Sequence, residues 1–292
     1  MPPLASIEGV PGHFAAGRII DIKAGTAIPF DQLIDRFKSK DLVFIGEVHD
    51  NPEHHLIEVQ ILQALMAAED RLAVAMEFFH EPRQPVLDRY MKGDISEAVF
   101  LEDVGWSKGW AFSYHFYRPL ILLTREKGKR LLGINAPHSI VRKVARGGLS
   151  GLESGERRQL AKDIDLDNSG HRLFVNEAYK DHPHHDLKTF DYFYQAQCVW
   201  EETMAENIAQ YLKNNRGMLV VFAGNGHIIY KFGIPDRVLR RIPVTMATIL
   251  LYPLTARSTL NKRMADYVWL TSGCSAGHLM RRTKKTTSLD PK

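Results

Sequence analysis

The sequence predicts an α/β fold, a mostly parallel central sheet flanked by helices and extended by helical insertions. Two patterns predict it. Five short β-rich runs are apolar throughout, without the polar–apolar alternation of a half-exposed strand, which is how strands covered on both faces read. Longer helical patterns separate the runs, as they do where helical crossovers join parallel strands.

In chain order, residues 13 to 30 suggest a small β-hairpin with Gly25 in its turn. Leu42-Val43-Phe44-Ile45 is the first buried run. Asn51-Pro52 then reads as an N-cap followed by proline at the first helical position. The helix it starts runs over residues 53 to 70, with Ile57, Ile61, Ala64 and Leu65 on its apolar face. Residues 72 to 76, 131 to 134, 218 to 223 and 244 to 251 supply the other four runs. The stretches 83 to 127 and 138 to 212 are too long for simple crossovers and read as helical insertions. Within the second, residues 189 to 212 form a long helix that opens on Phe190, Tyr192, Phe193 and Tyr194. One domain over residues 1 to 292 is expected, with its core between about 16 and 270.

Composition narrows the function classes. At 45% hydrophobic and 25% charged residues the chain resembles an ordinary globular protein and can build a sizeable core. The net charge is only +4, and the tail Arg281-Arg282-Thr283-Lys284-Lys285 carries four positive charges with no acidic one. Without that tail, expected to be disordered over about 279 to 292, the balance is near zero, which argues against a nucleic-acid binder. Cys198 and Cys274 form neither a disulfide framework nor a zinc signature. No apolar run approaches the roughly 18 residues of a transmembrane helix. The first twenty residues lack a charged segment followed by an apolar one. On its face the sequence therefore reads as cytoplasmic.

The polar residues at the run ends form a pattern. Glu47 and His49 follow the first run, Glu77 and His80 the second, Asn135 and His138 the third, Asn225 and His227 the fourth. Parallel strands bring their carboxyl ends to one rim, where ligands of open α/β sheets bind. Two histidines and one or two carboxylates there would hold a divalent ion, or act as acid and base. Each residue singly reads as well as a loop cap or a partner for buried backbone. Four such ends together favour a site. A second histidine cluster, Asp181-His182-Pro183-His184-His185-Asp186, reads either as a surface loop or as a ligand tract. No Gly-x-Ser-x-Gly elbow and no P-loop occurs, and Gly224-Asn225-Gly226 lacks the third glycine of a dinucleotide fingerprint.

Several short stretches then match a known family in the same order: Phe44-Ile45-Gly46-Glu47-Val48-His49-Asp50, Ala75-Met76-Glu77-Phe78, Gly133-Ile134-Asn135-Ala136-Pro137, Tyr194-Gln195-Ala196-Gln197, Glu202-Thr203-Met204-Ala205, Ala223-Gly224-Asn225-Gly226-His227 and Ala265-Asp266-Tyr267-Val268-Trp269. In these the sequence resembles the ChaN-like haem-binding family, within the broader group of Tiki, TraB and, more distantly, erythromycin esterase proteins. The resemblance implies haem binding, a tyrosine as ligand to ferric iron, and a homodimer that brings two haems together. In the Tiki branch, two Gly-x-x-His motifs and an intervening glutamate accompany metal-dependent peptidase activity. Here they fall on Gly46 to His49, Gly224 to His227, and Glu77. Many family members begin with a lipoprotein signal and a lipidated cysteine, and neither is seen here.

The expectations are therefore two sites and three functions. For haem, Tyr194 is the first candidate ligand, with Tyr192 and Tyr179 as alternatives. His184 or His185 would bond the ligand or a propionate, and Lys180, Lys188, Arg142 and Arg146 would pair with propionates. Such a protein would serve haem or iron acquisition, storage or transfer. The alternative is a metal-dependent hydrolase, with His49 and His227 as metal ligands or acid–base groups and Glu47 or Glu77 activating water. A non-catalytic scaffold is the third reading.

Overall fold

The computed structural model describes residues 3–180, 189–255 and 257–273. The strands are β1 (Ala5–Ile7), β2 (Val10–Phe14), β3 (Ile19–Asp21), β4 (Thr26–Ile28), β5 (Leu42–Glu47), β6 (Leu72–His80), β7 (Arg130–Asn135), β8 (Met218–Gly224), β9 (Met246–Leu254), β10 (Ser258–Leu260) and β11 (Tyr267–Ser272). The helices are α1 (Phe30–Lys38), α2 (Pro52–Ala68), α3 (Gln84–Lys92), α4 (Glu97–Val104), α5 (Trp106–Gly109), α6 (Tyr114–Glu126), α7 (His138–Gly147), α8 (Ser154–Arg157), α9 (Ser169–Lys180), α10 (Phe190–Asn214) and α11 (Ile234–Leu239).

An eight-stranded sheet in the order β4-β3-β11-β9-β5-β8-β6-β7 forms the centre. From β11 to β7 every pairing is parallel, while β3 is antiparallel to β11 and to β4. The five apolar runs are all strands of this sheet, and both of its faces are covered. Val43 and Ile45 enter the layer beneath α1, α2 and α6, and Leu42 and Phe44 the layer beneath α10 and α11. This explains why the runs do not alternate. The hairpin is β3–β4, with Gly25 at φ +71 where a left-handed residue is needed.

Two features differ from the sequence reading. A short sheet β10-β1-β2 brings in β1 and β2 from ahead of the predicted core, and β11 adds a sixth parallel strand. The predicted helix over 53 to 70 is α2, capped by the Asn51 side chain, which accepts from the amide of Glu53 at 3.0 Å. Its burial is wider than an apolar stripe, because His54, His55 and Glu58 are buried with Ile57, Ile61, Leu62 and Leu65. The long insertion helix is α10, capped by Thr189. The candidates His184, His185 and Lys188, the basic tail and Cys274 lie outside the described residues.

Candidate functional site

The register of the sheet assembles the rim. Glu47 at the end of β5 stands opposite Gly224 at the end of β8. Glu77 lies on β6, where the pairing with β7 shifts register between Met76 and His80. Such bulges commonly re-aim a side chain beside a site. Beyond β8, a single turn of 3-10 helix over Asn225–His227 carries His227 back toward the sheet.

The four predicted rim residues come together. His49 Nδ1 lies 2.6 Å from Glu47 Oε1, and its Nε2 lies 3.9 Å from Glu77 Oε1. His227 Nε2 approaches the same Glu77 oxygen to 3.7 Å, while its Nδ1 is 3.1 Å from Glu201 Oε1. Two imidazoles thus flank one carboxylate oxygen, each backed by a buried carboxylate. The other Glu77 oxygen accepts the Gly224 amide at 2.7 Å. A Cβ at Gly224 would sit 2.9 Å from His49 Nε2, so only glycine leaves this space. Asn225 anchors the turn by donating to the Leu251 carbonyl. Asn135 serves the rim indirectly, donating to the Glu77 carbonyl at 2.9 Å.

Electrostatics follow from the burial. Glu47 is pushed up to about 7 by burial and then by Glu58, against the pull of His49 and His55. Burial opposes protonation of His49, but the Glu47 hydrogen bond and the Glu77 charge outweigh it and hold its pKa above the ordinary value. His227 is raised in the same sense: burial opposes, and Glu77 and Glu201 prevail. Glu201 is held well below the carboxylate range although burial works against it, because His171, His227 and Arg237 surround it. Trp110 and Phe112 pack around His49 with ring centroids at 5.0 and 4.8 Å, and Trp200 faces His227 at 6.2 Å. This is a small, aromatic-walled acid–base cluster.

The residues behind the rim were not foreseen. Glu201 and Gln197 are one turn apart on α10, hydrogen-bonded at 2.8 Å, and both reach His227 Nδ1. Their four-residue spacing was legible within the Tyr194–Glu202 stretch, but nothing in the sequence pointed that face at the rim. Tyr117, whose hydroxyl donates to Glu47 at 3.1 Å, comes from an insertion without any such signal.

The aromatic candidates are placed elsewhere. Tyr194 is fully buried against Val175 and Cys198, and its hydroxyl donates to the Asn168 carbonyl at 3.3 Å. Its pKa is raised by burial and then by Cys198. In this placement the Tyr194 ring is turned inward, because the aromatic start of α10 packs onto α9. Tyr192 is half-buried, its ring above Gly148, and Tyr179 packs against Phe190 and Phe193 at 5.4 and 5.1 Å. Of the propionate candidates, Arg142 lines a groove beside the rim; Lys180 pairs with Glu177 at 2.6 Å.

That groove measures about 480 Å³ and lies beyond the ends of β6 and β7. Pro82, Val104 and Pro137 form apolar parts of its wall, and His80, His138, Arg83 and Arg142 its polar part. His80 is pushed down to about 4 by burial and by the charges of His138 and Arg83, and His138 is lowered by burial and then Arg142. Both imidazoles are neutral at physiological pH.

Comparison with known proteins fits this architecture. Residues 33–238 match the family described as haem-binding uptake, Tiki superfamily, ChaN, and the chain belongs to that family. A solved structure, of cofacial heme binding to ChaN of Campylobacter jejuni, superposes with a TM-score of 0.69 at 19% identity, covering 86% of this chain and 95% of that one. It shares the fold. An erythromycin esterase, a mutant of EreC in its open conformation, gives a TM-score of 0.48 at 14% identity over 82% of this chain and 77% of its own. The chloroplastic protein RETICULATA-RELATED 5 of Arabidopsis thaliana is 27% identical over 251 residues, or 78% of this chain. The chain spans about a third (34%) of that relative's length. No helix of the described residues is long and apolar enough to cross a membrane.

Proposed function

We propose that the protein binds ferric haem in the groove beyond β6 and β7 and serves haem or iron handling: acquisition, storage or transfer. The observation that carries this is the donor set in a concavity of suitable size. His80 and His138 present neutral imidazoles, Arg83 and Arg142 present guanidiniums, and proline and valine supply apolar wall. A haem needs an axial ligand, partners for two carboxylates and apolar contact, and all three are here. In this arrangement His80 would hold the iron, the two arginines would pair with the propionates, and Pro82, Val104 and Pro137 would lie against the ring. Bound haem would supply iron in a form that can be carried and handed on. The family supports the reading, and the cofacial haems of the Campylobacter protein make a homodimer the natural assembly to look for.

Haem titration tests it. A saturable Soret shift at micromolar protein is expected, with the His80→Ala variant binding at least about tenfold more weakly. Absence of saturable binding overturns the function. A tyrosinate charge-transfer band that disappears in Tyr179→Phe or Tyr192→Phe moves the site to the α9–α10 face.

A second reading has its own observation. His49 and His227 flank Glu77 while Glu47 and Glu201 fix their orientation, an arrangement suited to hydrolysis. Glu77 would take a proton from the attacking water, and a protonated imidazole would return one to the leaving group. A panel of peptide and ester substrates, run with Glu77→Gln as control, tests it. Turnover that survives Glu77→Gln, or none at all, rejects this reading.

A further inference from the structure

Beneath the rim, Glu47, His55 and Glu58 meet in the interior at 1%, 4% and 0% exposure. His55 Nδ1 lies 2.9 Å from Glu58 Oε2 and 3.0 Å from Glu47 Oε2. The opposite ring nitrogen, Nε2, lies 3.1 Å from the carbonyl of His49. A carbonyl can only accept, so Nε2 carries the hydrogen and Nδ1 of the neutral ring carries a lone pair. That lone pair faces two carboxylate oxygens. Three acceptor atoms converge, so either a carboxyl proton, which burial favours on Glu58, or a cation lies between them.

One of these oxygens and the second oxygen of Glu58 sharpen the point. Glu47 Oε2 and Glu58 Oε1 are buried without a hydrogen-bond partner among the described residues. The other Glu47 oxygen is already engaged by Tyr117 and His49. Unpaired carboxylates in a dry interior are costly unless neutralised or coordinated. One donor atom from each of the three side chains lies within 4.8 Å of the others. Contacts of about 3 Å between donors are what bonds of roughly 2.1 Å to a shared ion at right angles produce.

We infer that Glu47, His55 and Glu58 hold a divalent transition-metal cation of the manganese, iron(II) or zinc class. One imidazole with two carboxylates suits such ions and not calcium, which prefers an all-oxygen shell. The site is distinct from the rim, sharing only Glu47 with it. Phe116 stacks on His55 at 4.7 Å and Tyr117 meets its edge at 4.8 Å, which closes the site from water. The ion therefore enters as the chain folds and exchanges slowly. It fastens α2 to the end of β5 and orients Glu47, and through Glu47 the His49 ring.

The test is elemental analysis of the full chain, colourless and purified without chelator. About one equivalent of divalent metal per chain is expected. Unfolding in chelator and refolding without metal should lower Tm, and manganese, cobalt or zinc should restore it. Cobalt-refolded protein should show visible ligand-field bands. Glu58→Gln should lose the ion, and His227→Ala should keep it. The proposal fails if wild-type protein is metal-free and its Tm is indifferent to refolding with metal. It also fails if the ion leaves with His227→Ala but stays with Glu58→Gln, because the ion then sits at the rim. Should Glu58→Gln not fold, the wild-type refolding series alone decides.

Discussion

The Glu77 carboxylate accepts the Gly224 amide hydrogen at 2.7 Å, across 147 residues of sequence. That bond leaves one Glu77 oxygen free to face His49 and His227. The nearness of His49 requires Gly224 to be bare, although its φ of −58 would suit any residue. Gly224→Ala should therefore act by steric conflict with His49 alone. A cost of about 1–3 kcal/mol in urea denaturation is expected for overpacking of this kind. The histidine NMR signals should show His49 displaced and His171 unmoved, and an unchanged His49 would contradict the close fit.

Acid should weaken the protein through His54. The Val48 amide donates to His54 Nδ1 at 2.9 Å, so that nitrogen bears no hydrogen, and Nε2 meets the Thr271 hydroxyl at 2.9 Å. The ring is held neutral, its pKa pushed down to about 3 by burial and then by His55. Between pH 3 and 6.5 the unfolded chain binds a proton here that the folded chain does not. Stability then rises with pH across that window. Between pH 6.5 and 5 the expected loss from this group is at most about 2 kcal/mol. His54→Gln, which can still accept from Val48, should flatten the slope.

Arg237 should be among the costliest single side chains to remove. Its guanidinium donates to Glu201 Oε2 at 3.2 Å, to Glu202, and to His171 Nδ1 at 3.2 Å, all buried. Arg240 and Arg241 still serve Glu202 when Arg237 is gone, but Glu201 keeps only the neutral Gln197 amide and the two imidazoles of His171 and His227. A loss of about 3–5 kcal/mol is expected for Arg237→Leu, the usual cost of stranding a buried charge. Because the Arg237 charge lowers the His227 pKa, its removal should raise that pKa further. A chemical-shift titration checks this independently of stability.

The sheet and its rim were legible in the sequence for a physical reason. Strands buried on both faces must be apolar throughout, and parallel strands must end together, so Glu47, His49, Glu77 and His227 could be gathered from run ends alone. The support behind them was not legible. Glu201 and Arg237 meet only because α10 and α11 pack side by side, and a helix face carries no label for the element it touches. Tyr194 shows how a composition can read two ways. Its aromatic stretch resembled a ligand surface, but ring packing onto Val175 and Cys198 is equally consistent with that composition. His54, His55 and Glu58 sit in a segment read as amphipathic, yet α2 is buried around most of its girth.

Glu77→Gln separates the rim's electrostatics from its architecture. The glutamine amide oxygen can still accept from Gly224, so the bond across the strands survives while the charge is lost. Glu77 raises both His49 and His227 against the lowering effect of burial. Without it, both imidazoles should titrate at lower pH by NMR, and the pair formed by Glu47 and His49 should shift together because they share a hydrogen bond. The sign for stability follows. Histidines with raised folded pKa contribute stability that is fully present below their unfolded value of 6.5 and is lost as pH rises through the folded value. The deficit of Glu77→Gln should thus be largest near pH 6 and shrink toward pH 9. A deficit independent of pH would mean that Glu77 acts at the rim by shape alone, and the acid–base reading of this cluster would lose its basis.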